Sequence, residues 1–163
     1  MHESKKYTDE EAHKRFAVNC FNHIWSLLEK SSRTKGEDQT MIHLAHASHY
    51  HWLQVGEPIN EQRGEWMLAR VYTVLSDKEK ALKHADNCLV LTKQFRFKGF
   101  DLGYAHECVA RAVALNGNQE NALNHKKLAI KAGELIVDQE DKKIFFADLI
   151  SGPWFGMEVT NYQ

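Results

Sequence analysis

Arg63, Trp66, Arg70 and Thr73 fall at i, i+3, i+7 and i+10, the spacing that lines one face of a helix. Guanidinium groups hold carboxylates and phosphates through paired hydrogen bonds, and an indole offers a stacking wall. Met67, Leu68, Ala69, Val71, Tyr72, Val74 and Leu75 take up nearly all the rest of the circumference. The segment therefore reserves one narrow face for two arginines and a tryptophan. Two readings of that face stay open. Either it holds an acidic peptide or another anion, or Arg63, Arg70 and Arg111 form ion pairs inside the fold with Glu65, Glu107 or Asp101. Glu107 and Arg111 stand at i, i+4 and can neutralise each other.

A second cluster is histidine: His43, His46, His49 and His51 lie within nine residues. A metal needs converging imidazoles, and helical i, i+3 spacing supplies that for His43/His46 and His46/His49. At about 100° per residue, however, His49 and His51 point about 160° apart, so the four cannot converge on one helix. His49 shares a face with Ala45, Trp52 and Leu53 and reads as a hydrogen-bonded core histidine. His46 and His51 flank that face and are expected to border a groove. We expect no metal ligand, no cofactor and no stoichiometric transition metal in the purified protein, because these four cannot converge. Nucleophilic chemistry has no support either: there is no nucleophile elbow, no His-Glu-x-x-His pattern and no phosphate-cradling glycine loop. The chain reads as a non-enzyme.

The elements that would position these residues are helices. Only two prolines occur, Pro58 and Pro153, and no alternating β-branched run is present. Thr8-x-x-Glu11 is a capping box that opens a helix to about residue 30, with Phe16, Cys20, Phe21, Ile24, Leu27 and Leu28 as its apolar stripe. Residues 31–38 read as a connection, and a second helix runs from about 39 to a stop at Gly56. A third helix spans about 60–75. Ser76-x-x-Glu79 is read as the capping box of a fourth, to about residue 94. A fifth follows to Leu115, and Asn116-Gly117-Asn118 turns into a sixth, to about residue 135. A last helix, about 138–151, is expected to cap the stack, and residues 152–163 form a tail.

The chain also repeats itself. Ala69-Arg70, Glu79, Ala81-Leu82 and His84 recur as Ala110-Arg111, Glu120, Ala122-Leu123 and His125, each 41 residues on. A period of this size marks stacked helical hairpins, each burying its apolar face on the next. We expect one all-α domain over residues 1–163, built of hairpins at about 8–55, 60–94 and 99–135 plus the capping helix. Tyr72, Leu68, Ala81, Ala110 and Ala122 should lie at its helix crossings.

Net charge of −1 and a pI near 6.8 exclude the basic footprint of a nucleic-acid binder and an electrostatic membrane anchor. No apolar run approaches the ~18 residues that span a bilayer. Cys20, Cys88 and Cys108 are far apart and odd in number, which predicts buried free thiols and a reducing, cytoplasmic location.

Leu68-Ala69-x-x-Tyr72 followed by Ala81, and Val109-Ala110-x-x-Val113 followed by Ala122, resemble the tetratricopeptide repeat (TPR). The likeness covers about residues 63–133. Glu65 and His106 stand where that family has tryptophan, Ala85 and Lys126 where its second helix has an aromatic, and the period exceeds the family's ~34. Ala45-His-Ala-Ser48, Tyr50-His-Trp52 and Arg63-Gly-Glu-Trp66 are similar to segments of a group of bacterial TPR-like proteins. The resemblance implies a concave groove lined by the first helix of each hairpin. Its positions here are Arg63, Trp66, Arg70 and Thr73, then Tyr104, Glu107, Arg111 and Ala114. The function it implies is a module that binds a protein or peptide segment, acidic in character, with pairing to a second copy left open. The alternative is a small anionic ligand, or a metal, on the same arginines or the clustered histidines.

Overall fold

The computed structural model describes residues 6–158, so residues 159–163 of the expected tail lie outside it. The described residues form seven helices and no strand: α1 (Asp9–Leu28), α2 (Lys35–Val55), α3 (Pro58–Val74), α4 (Lys78–Gln94), α5 (Gly99–Leu115), α6 (Gln119–Glu134) and α7 (Gln139–Ile150). α1 packs on α2, α4 on α5, α5 on α6, and α7 on α5 and α6, and the described residues are all-α. The chain divides into two compact units, one up to Gly64 and one from Glu65, with the division inside α3.

The first unit is the α1–α2 hairpin with the opening of α3. Thr8 accepts from the Glu11 backbone N–H, and Glu11 reaches back to the Thr8 backbone, completing the expected capping box. Thr34 and Glu37 make the same box for α2, which starts at Lys35 rather than near 39. The Ser- and Gly-rich composition of 31–38 hid that cap. Small residues bring the two helices together: Ala17 and Ala45 are fully buried, and the Ser48 hydroxyl donates to the Ala17 carbonyl at 2.8 Å. Phe16, placed on the apolar stripe by its spacing, is half exposed, and Ala17 takes the inward position. A Cβ on Gly64 would sit 2.1 Å from His49 Nδ1, so α3 passes the His49 ring where only glycine fits.

The second unit carries the repeat. α3 and α5 start 41 residues apart, at Pro58 and Gly99, and end at Val74 and Leu115. Both hairpins turn through a left-handed residue, Ser76 at φ 60° and Gly117 at φ 87°. The next backbone N–H then closes back on the preceding helix, Asp77 to the Tyr72 carbonyl and Asn118 to that of Val113. Asp77 and Asn118 cap α4 and α6. The cap of α4 is thus Asp77, one residue beyond the serine that the sequence pattern suggested. Ser76 is in the left-handed turn and its backbone cannot open a helix. Leu68, Tyr72, Ala81, Ala110 and Ala122 are all buried, as their crossing positions require.

α7 closes this unit by driving Phe145 between two glycines. A Cβ would meet the Phe145 ring at 2.9 Å from Gly103 of α5 and at 2.3 Å from Gly133 of α6. Gly133→Ala should therefore overpack the seat and cost about 1–3 kcal/mol, read as a shifted urea midpoint. An unchanged midpoint would mean that α7 does not seat on that glycine.

Candidate functional site

Glu107, in the middle of α5, gathers Arg70 and Arg111 in the second unit. Its side chain is 1% exposed. Arg111, one turn on, donates its Nε–H to Glu107 Oε1, and Arg70 Nη1 stands 3.6 Å from the same oxygen. Trp66 Nε1–H donates to the other oxygen at 3.2 Å. Side-chain exposures are 3% for Arg111 and 12% for Arg70. One carboxylate thus faces two guanidinium groups in a water-poor interior, where Coulombic attraction must offset the desolvation of all three.

The far side of Arg111 is filled by the chain itself. Its Nη groups donate to the carbonyls of Asp148 (2.8 Å), Ser151 (2.9 Å) and Pro153 (3.1 Å). These lie at the end of α7, where helix carbonyls lack intrahelical partners and the dipole favours a cation. Trp154 lies beneath, its ring centroid 4.2 Å from the Arg111 guanidinium carbon and 4.5 Å from Lys126 Nζ. The Trp154 indole N–H donates to the Leu149 carbonyl at 3.0 Å. Lys126, itself buried, donates to the Glu158 carbonyl, and burial lowers its pKa. Tyr104 donates to Asp148 Oδ2 at 2.6 Å, and burial pushes its phenol pKa far up.

The structure accordingly distributes the ten groove residues unevenly, and Ala114 is buried in α5. Trp66, Thr73, Tyr104, Glu107 and Arg111 are buried in the second unit, with Arg70 nearly so. Arg63 and His46 are exposed and His51 is half-buried, all three in the first unit. Of the two readings left open for Glu107 and Arg111, the ion pair is present and the open groove surface implied by the resemblance is not. α7 and residues 151–154 cover that side of α5 and supply its acceptors. Sequence reading also missed Lys126 and Trp154, whose contacts span about 30 residues of chain with no local signal.

Histidines mark the opposite side of the hairpins. Glu65 and His84 pair at 2.6 Å, and the equivalent positions 41 residues on hold His106 and His125, with facing Nδ1 atoms 3.1 Å apart. Burial, and then His125 and Lys93, bring the His106 pKa down to about 4. Burial lowers that of His125 as well. His125 borders a cleft of about 370 Å³ between α4, α5 and α6. Leu82, Leu89, Val109 and Val113 give the cleft apolar walls, and Asp86, Asn116, Asn118 and Asn121 give it a polar margin. Burial raises the Asp86 carboxyl pKa. Of the recurring 84/125 histidines only His125 lines this cleft, so the repeat gave no signal for it. Among the described residues no group of three or more His, Cys, Asp or Glu is arranged to hold a metal ion. No helix among them is long and apolar enough to cross a membrane.

Fold and site together define an all-α protein of packed helical hairpins with a buried Arg–Glu–Arg network and one apolar-walled cleft with a polar margin. Compared with protein-family models, with curated proteins and with solved structures, the chain matches none of them.

Proposed function

We propose that the protein is a TPR-like interaction module that takes a peptide segment of a protein partner into the α4–α5–α6 cleft. The observation that carries this reading is the cleft itself. Its volume of about 370 Å³ accommodates one large apolar side chain, and its polar margin lies where the flanking peptide backbone would run. Arg111 has its charge met by Glu107 and its remaining N–H groups by the end of α7. An acidic partner on that face, or a small anion there, consequently has less support than an apolar anchor in the cleft. The three free thiols, with Cys88 and Cys108 buried, suit a reducing, cytoplasmic compartment.

A second reading is favoured by the same volume, which also falls at the small end of the range for small-molecule sites. Selection from a random peptide library separates the two. Enriched peptides should share one bulky apolar residue. Asn121→Lys, at the exposed margin, should weaken them about tenfold or more with an unchanged melting temperature. A library with no enriched sequence, or peptides that bind the Asn121→Lys variant equally well, would sink the peptide reading.

A further inference from the structure

We propose that His13 and His51 form a two-imidazole site for an exchangeable borderline transition-metal cation, of the zinc(II) or copper(II) type, across the α1–α2 hairpin. His13 lies in the second turn of α1 and His51 in the last turns of α2. Their Nδ1 atoms face each other at 2.8 Å, with ring centroids 5.0 Å apart and planes inclined by 58°. Two imidazole nitrogens bound to one such metal, each at about 2.0–2.1 Å, stand roughly 3 Å from each other. The hairpin therefore already holds its two donor atoms at chelating separation.

The chemistry of the pair fits a soft-to-borderline cation. Imidazole nitrogen is a borderline donor and the commonest protein ligand for such metals. Without metal, one ring must carry its hydrogen on Nδ1 and donate it to the other, because two facing lone pairs repel at this distance. Metal takes the place of that hydrogen. The donating ring moves its proton from Nδ1 to Nε2 through solvent, so that both rings present Nδ1 to the metal and carry hydrogen on Nε2. Lys14, beside His13, is balanced by Glu10 at 2.6 Å, so it adds little opposing charge.

Two aromatic neighbours set the rings. Phe16 lies 5.4 Å from His51, and Tyr50 lies 5.4 Å from His51 and 6.2 Å from His13, centroid to centroid. Both are more than half exposed, which leaves the site open to solvent and to exchange. With two protein ligands, the other coordination positions belong to water or to a donor from elsewhere. The expected site is thus exchangeable, unlike a closed structural zinc centre. It lies in the first unit and is independent of the cleft reading.

The test is calorimetric titration of tag-free protein with zinc chloride and, separately, copper(II) sulfate, repeated on single variants. One equivalent should bind with a dissociation constant in the micromolar range and raise the melting temperature. His13→Ala and His51→Ala should each weaken binding by about tenfold or more, since either loss breaks the chelate. His43→Ala and His46→Ala should leave it unchanged. Because His51 is half-buried, His13→Gln serves as the second arm, with far-ultraviolet circular dichroism confirming an intact fold. No binding, binding undiminished in folded His13 variants, or binding lost in His43→Ala or His46→Ala would each overturn the assignment.

Discussion

Glu107→Ala should destabilise the protein by about 3–5 kcal/mol, measured by urea or thermal denaturation. The carboxylate is 1% exposed and is the shared counter-ion of Arg70 and Arg111. Removing it takes the shared carboxylate from two guanidinium groups inside the fold and the Oε2 acceptor from the Trp66 N–H. Glu107→Gln keeps an oxygen for one donor but no charge, and should fall between the two. Arg70→Ala should cost less than Arg111→Ala. Arg70 is more exposed and meets Glu107 only at 3.6 Å, whereas Arg111 also holds three carbonyls at the end of α7. A change below about 1 kcal/mol for Glu107→Ala, as for a surface site, would show the network to be open to water and return the arginine face to candidacy as an anion site.

Acidification should produce the second large effect. The His106 pKa in the fold is about 4 against an ordinary value of 6.5. Between those values the unfolded chain binds the proton that the folded one excludes, so stability rises with pH across the interval. The contribution is therefore fully present above about pH 6.5 and is lost as pH falls toward 4. Its size is roughly 2–3 kcal/mol. Burial of the charged ring is the main cause of the loss, followed by the nearby His125, whose Nδ1 is 3.1 Å away, and Lys93. His125, lowered by its own burial, acts in the same sense. Asp86 acts oppositely at the acid end, because its carboxyl pKa is raised by burial. The clean window is pH 5–7, where His106→Gln should flatten the slope of melting temperature against pH. An equal slope in that variant would remove His106 as its source.

Local punctuation made much of this fold legible. Thr8 with Glu11, Pro58 at the first helical position, and Asn116-Gly117-Asn118 are signals whose physics acts within four residues, and each sits at a helix boundary. The 41-residue recurrence was equally readable because α3–α4 and α5–α6 keep the same caps and crossings. Where reading fell short, the missing partner was distant. The arginine face was visible as a pattern. What meets it, the end of α7, comes from 37 to 42 residues further along. Likewise His51 was weighed against its neighbours in α2, whereas its partner His13 lies 38 residues away across the hairpin. Periodicity reports which way a side chain points, not what waits there.

Arg70 and Arg111 are equivalent residues of successive repeats, but the position equivalent to Glu107 is Trp66, so the two arginines share the Glu107 carboxylate rather than each meeting a copy of it. Arrays of hairpins ordinarily unzip from an end, because each unit is electrically whole and loses only a neighbour. Here the departure of α5–α6 would take from Arg70 the carboxylate that it shares with Arg111. The shared carboxylate works as a rivet against fraying, and residues 65–158 should melt in one cooperative step rather than repeat by repeat.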